Sequence, residues 1–148
     1  VRVGAQSSEE PSLRFDVELF IVHPTLDPAE ITAALGLEPA ITHPVSERRR
    51  TPSGDTLPGQ YRDTRWRHTV RYEVKHQYFA EAVTSLVARL EPHKIFLSQL
   101  RSTGGKASII VQFLGDGYYG DTIHKETLSR LAELDLDLSV ECFSTPQN

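Results

Sequence analysis

"LRFDVELFIVHPTLDPAEITAALGLEP", residues 13–39, contains one strand and one helix together with the punctuation of both. Leu13, Phe15, Val17, Leu19 and Ile21 alternate with Arg14, Asp16 and Glu18, the period of two of a half-buried strand over Leu13 to Val22. Phe20 and Val22 make the far end apolar on both sides, which predicts burial of both faces there. Asp27 is suited to cap the helix that follows, with Pro28 in its first position and Glu30 three residues after the cap. Ile31, Ala34 and Leu35 form the inner stripe. Gly36 can take the left-handed conformation that ends a helix, Leu37 can fold back on it, and Pro39 blocks continuation.

Beyond this unit the pattern alternates between strand and helix. Arg65 to Lys75 reads as a second strand, with Trp66, His68, Val70, Tyr72 and Val74 on one face. Arg65, Arg67, Thr69, Arg71, Glu73 and Lys75 fall on the other, open to water or a ligand. Tyr78 to Leu90 carries apolar residues at helical spacing and is closed by Pro92. Lys94 to Arg101 fits a short helix or a strand, and we expect the helix. Ala107 to Leu114 is a β-branched strand after the Gly104–Gly105 turn, and Gly115 to Asp121 is a glycine-rich loop. His124 to Leu134 is expected as a helix with Leu128, Leu131 and Leu134 inward. Leu136 to Phe143 closes the fold as a strand with Leu136, Leu138, Val140 and Cys142 on one face.

The stretch "LDPAEITAALGLEP" resembles the later "IHKETLSRLAELDLDL", each lying after a strand and leaving through a Leu-x-Leu-like exit. Two βαβ units with a long helix between them give an α+β class: a two-layer sandwich, a small mixed or antiparallel sheet with helices on one face, ferredoxin-like in character.

Residues 38–63 stand apart. They hold Pro39, Pro44, Pro52, Gly54, Pro58 and Gly59 together with Arg48, Arg49, Arg50 and Arg62, and they read as one long basic loop. Loops of that length inside a compact domain are functional or disordered. Between Glu47 and Lys75 eight basic residues face four acidic ones, so the segment is +4 and the remainder −8 within a total of −4. An acidic body with a basic insert argues against nucleic-acid binding over the whole surface and for a local anion-attracting patch.

The 148 residues suit one domain over 13–148 after a polar tail at 1–12 that does not resemble a signal peptide. No apolar run is long enough to span a membrane. Cys142 is the only cysteine, which excludes an intrachain disulfide framework and suits a cytoplasmic location; it is expected to be buried and inert.

Four pieces carry a family resemblance: "FDVELFIVHPTLDPAEITAALGLEP", the Trp66 strand, the helix ending "LVARLEP", and "LSRLAELDLDLSVECF". Together they resemble the bacterial family of the domain of unknown function 4279, from about Phe15 to Phe143. The first piece is the most specific. The resemblance implies a single small α+β domain in a bacterial protein and brings no activity and no functional residue with it. The run Arg48 to Arg50 lies outside these pieces.

Arg65, Arg67 and Arg71, with Arg48, Arg49 and Arg50, could bind phosphate or an acidic protein surface through planar bidentate contacts, against the alternative of a merely solvated strand face. Trp66 and Tyr72, the natural stacking residues for RNA, fall on the opposite face and weaken that reading, and Trp66 reads as a core anchor. Tyr118 and Tyr119 in "GDGYYGD" are candidate exposed contacts with a partner. The six histidines are scattered and no two are three residues apart, so neither a metal site nor a cofactor is expected. No nucleophile elbow is present.

The sequence thus points first to a non-enzymatic protein-binding module, of adaptor or immunity type, with its oligomeric state open. Weak RNA or polyanion binding through the basic loop and strand comes next, and an enzyme with a dispersed site third.

Overall fold

The computed structural model describes residues 13–75 and 77–143; the polar segment at 1–12 lies outside them. The elements are β1 (Arg14–His23), α1 (Pro28–Leu35), β2 (Ile41–His43), β3 (Arg48–Arg50), β4 (Thr56–Gln60), β5 (Thr64–Glu73), α2 (Phe79–Leu90), a 3-10 turn (Glu91–His93), α3 (Lys94–Ser102), β6 (Lys106–Leu114), α4 (Lys125–Glu133) and β7 (Leu136–Phe143). Five strands form one mixed sheet in the order β2-β5-β1-β6-β7, and β3 with β4 forms a separate two-stranded hairpin.

β1 lies at the centre, antiparallel to β5 on one side and to β6 on the other. Its odd-numbered residues Phe15, Val17, Leu19 and Ile21 are almost fully buried and join Ile31, Val83, Val87, Leu97 and Leu131 from the four helices in one core. All helices therefore cover a single face of the sheet, as the α+β sandwich expectation required. Each fully buried side chain of this kind stabilises the fold by about 1.5–3 kcal/mol. Trp66 anchors β5 in the same core, completely buried, with its indole N–H donating to Thr32 Oγ1 at 3.0 Å.

The helix punctuation acts as expected. Asp27 Oδ1 accepts from Ala29 N–H at 2.8 Å and Glu30 Oε2 accepts from Asp27 N–H at 3.2 Å, closing a capping box. Gly36 ends α1 with φ of 64°, a conformation that costs a residue with a Cβ about 1 kcal/mol or more. The segment 94–101 is helical, as expected.

The βαβ units differ from expectation in one connection. β6, α4 and β7 form a parallel unit. The first unit is closed by β2: both β1 and β2 run antiparallel to β5, so they are parallel to one another with β5 between them. The Arg65 strand returns antiparallel beside β1. Three-residue β2 sits inside the stretch read as loop, where prolines hid it. That stretch, 38–63, also contains the β3–β4 hairpin and is ordered by ladder hydrogen bonds.

Two further expectations shift. Leu128 is 46% exposed, and α4 turns Thr127 and Leu131 inward instead, with Thr127 Oγ1 at 3.0 Å from Thr84 Oγ1 of α2. Cys142 is exposed, because the helix layer stops short of the C-terminal half of β7.

Candidate functional site: two sets of arginines

The face of the sheet away from the helices carries Arg67 and Arg71 of β5 beside Asp16 and Glu18 of β1. Strand register sets Asp16 against Arg71, Glu18 against Thr69 and Phe20 against Arg67. Arg71 makes a bidentate pair with Asp16, Nε to Oδ1 at 2.8 Å and Nη2 to Oδ2 at 3.0 Å. Its hydrogen bonds to Asp16, then the nearby negative charge, hold the Arg71 pKa above the ordinary guanidinium value despite some desolvation. Arg67 Nη1 donates to Glu18 Oε2 at 2.9 Å, Thr69 Oγ1 donates to Glu18 Oε1 at 3.1 Å, and the Arg67 guanidinium lies 4.1 Å from the Phe20 ring centroid. Asp16 and Glu18, read as solvent-facing, are only 6% and 7% exposed beneath these arginines.

The second set surrounds the hairpin. β3 and β4 pair Arg48 with Gln60 and Arg50 with Thr56, with a shift of register between Arg48 and Arg50. The hairpin root is closed by Ser46 N–H to Tyr61 O at 2.8 Å and Tyr61 N–H to Glu47 O at 2.9 Å. Its tip is closed by Thr51 and Asp55, with Arg50 Nη1 donating to Gly54 O. Tyr61 stacks on His43 with centroids 4.3 Å apart, and the Arg65 guanidinium carbon stands 5.6 Å from the Tyr61 centroid.

Arg49, Arg62 and Arg65 line an open hollow of about 400 Å³ with Gln60, Tyr61 and Asp63. Three arginines and one aspartate are thus among its lining residues. Among the described residues, Arg48, Arg49, Arg62 and Arg65 form no ion pair. The six arginines read from the sequence are thus divided. Arg67 and Arg71 are held by carboxylates on the sheet, while Arg48, Arg49 and Arg50 sit on the hairpin and Arg65 at its base. Arg62, read from the sequence as part of the basic loop, and Tyr61, not singled out there, complete the hollow; the position of Tyr61 just before the arginine strand was the available signal.

A family description, domain of unknown function (DUF4279), matches residues 12–143. The chain belongs to this family. The match runs from the start of β1 to the end of β7, so the DUF4279 domain is the whole described fold, hairpin and hollow included. No curated protein and no solved structure matches the chain.

The remaining candidates lie elsewhere on the domain. Tyr118 is 86% exposed. Tyr119 is half-buried and fastens the loop, its hydroxyl donating to Leu114 O at 2.6 Å and Arg14 O at 3.0 Å. Burial raises the Tyr119 pKa, opposed in part by the bond to Arg14. Buried His23 bridges the end of β1 to the end of α3. Its Nδ1 accepts from Thr25 and Leu26 N–H, which places the ring hydrogen on Nε2, 2.8 Å from Thr103 Oγ1. His68 Nδ1 lies 2.7 Å from Glu38 O and, as acceptor of that contact, the carbonyl takes a ring N–H. Among the described residues no three His, Cys, Asp or Glu side chains are grouped to hold a metal ion, and no helix is long and apolar enough to cross a membrane.

Proposed function

We propose that this DUF4279 domain is a binding module that holds an acidic segment of a partner protein in the hollow at the hairpin root. The observation that carries the reading is the group of three arginines, Arg49, Arg62 and Arg65, around one hollow with a single carboxylate, Asp63. Arginine suits this task because its planar fork grips a carboxylate with two parallel hydrogen bonds. Tyr61, held between the hairpin root and His43, offers an aromatic wall whose conformation is already fixed, so little entropy is lost on binding. An acidic body with one basic docking feature fits an adaptor or immunity-type role.

Fluorescence anisotropy with a labelled glutamate- and aspartate-rich peptide tests this. Binding should weaken at least tenfold in the Arg49→Ala/Arg62→Ala/Arg65→Ala variant, and retain its strength in Arg71→Ala. Equal affinity in the wild type and the triple variant overturns the proposal.

A second reading, binding of RNA or another polyanion, is supported by the exposed Arg48 and Arg50 beside the hollow. It requires a steep loss of affinity with salt, because phosphate binding is driven by counterion release. Oligonucleotide binding that exceeds peptide binding and is lost in Arg48→Ala/Arg50→Ala would favour it.

A further inference from the structure

β7 ends the five-stranded sheet, and its outer edge has no strand beside it among the described residues. The strand is eight residues long and stays in register with β6 from Leu136 to Phe143. Edges of this kind are ordinarily blunted by charged side chains, lysine above all, by proline, by a bulge or by a covering element; β7 carries two such charges, the exposed Asp137 and Glu141. The β7 sequence LDLSVECF has no lysine or proline, and its ladder has no bulge. The opposite edge differs, with three-residue β2 beside β5.

The direction of the free hydrogen-bonding groups can be read from one contact. Phe143 O accepts from Gly115 N–H, which places the peptide groups of Phe143 on the β6 side. Along a strand, alternate residues turn these groups to opposite edges. Leu138, Val140 and Cys142 therefore hold their N–H and C=O groups toward the free edge. Val140 is 62% exposed, Phe143 51% exposed, and Cys142 exposed.

We infer that β7 pairs antiparallel with β7 of a second copy of this chain, about a two-fold axis through Val140. The axis must stand perpendicular to the sheet for the sheet to continue, so residues on the helix side meet residues on the helix side. Charge then selects the register. Centring on Ser139 sets Asp137 opposite Glu141 of the second copy, twice over. Centring on Glu141 sets two glutamates face to face, and centring on Leu138 brings Asp135 against Glu141. Centring on Val140 sets Val140 on itself, Leu138 opposite Cys142, Ser139 opposite Glu141 and Asp137 opposite Phe143. It opposes no two acids, and like charges directly opposite destabilise a strand pair; centring on Cys142 opposes none either, but it pairs only Glu141 to Phe143 within the strand, against Asp137 to Phe143 here. The three residues with outward peptide groups then exchange about six hydrogen bonds. This interface lies on β7, apart from the hollow, so its failure leaves the hollow reading intact.

Light scattering of the full chain across micromolar to millimolar concentration should show mass rising from one chain to two. Val140→Lys, at an exposed position, should keep the circular dichroism spectrum and weaken dimerisation at least tenfold. In a Cys142→Ser background, Val140→Cys should give a covalent dimer on oxidation, since hydrogen-bonded antiparallel pairs sit about 5.5 Å apart, within disulfide reach. Ser139→Cys in that background, opposite Glu141, should cross-link far more slowly. A single-chain mass at every concentration overturns the inference. So does a dimer that survives Val140→Lys, or faster cross-linking through Ser139→Cys.

Discussion

Arg67 and Arg65 stand two residues apart on the same face of β5, yet they have opposite environments. Arg67 is bonded to Glu18 and lies over Phe20, while Arg65 forms no ion pair among the described residues and borders a hollow shared with Arg49 and Arg62. The difference comes from the neighbouring strand. At Arg67 and Arg71, β1 supplies carboxylates within reach; at Arg65 it supplies Val22. A row of like charges on one strand is therefore no measure of the potential above it. The cross-strand partners decide which members are structural and which remain available to an anion.

The largest expected effect breaks the paired set. Glu18→Ala removes the acceptor of both Arg67 and Thr69, and it leaves a gap under a partly covered guanidinium. Hydrogen bonds to charged groups contribute about 1.5–3 kcal/mol, so we expect a loss near 2 kcal/mol, roughly 6 °C in Tm. Thermal unfolding followed by circular dichroism reads it. Arg65→Ala should change stability by less than about 0.5 kcal/mol, as surface substitutions away from buried networks do. Equal destabilisation by the two would erase the distinction between the sets.

A smaller effect sharpens the same point. A double-mutant cycle on Glu18→Ala and Arg67→Ala should give a coupling of about 1 kcal/mol, below that of a fully buried pair because the Arg67 side chain is 31% exposed. Glu18 with Arg65 should couple by nothing measurable. Urea titration of the four proteins in each cycle measures both.

Much of this architecture was legible in the local pattern. The strand at β1, the capping box at Asp27 and Glu30, the left-handed Gly36 and the burial of Trp66 all follow from neighbours within a few positions, and the structure has each of them, although β1 is buried on both faces from Phe15 to Leu19 where the alternation predicted one. What escaped depended on contacts distant in sequence. β2 is too short to show a period, and it exists because β5 offers it an edge. The carboxylates that neutralise Arg67 and Arg71 lie 49 and 55 residues earlier. Their alternation with apolar residues reads as a solvated face until the register is known. The exposure of Leu128 and Cys142 reflects where the helix layer ends, which periodicity within α4 or β7 does not encode. The candidate site was half legible. The basic segment was visible, but its division into paired and unpaired arginines was not.

Salt provides the smallest and most discriminating comparison. Arg48, Arg49, Arg50, Arg62 and Arg65 crowd the hairpin and its root, where their mutual repulsion is only partly offset by Asp55, Asp63 and Glu47. Raising ionic strength from 0.1 M to 1 M shortens the screening length from about 10 Å to about 3 Å, which relieves repulsion between exposed charges while leaving close, partly buried pairs little changed. The paired arginines should therefore lose little, and the unpaired ones should gain a few tenths of a kcal/mol. Chemical denaturation in urea, which is uncharged, can be run at both ionic strengths to read this. Arg49→Gln should shrink the salt-induced gain, because one repelling charge is already gone, whereas Arg71→Gln should leave the gain unchanged. If Arg71→Gln reduced it as much as Arg49→Gln, the repulsion would not be confined to the hairpin, and the division between the two sets of arginines would fail at its electrostatic root.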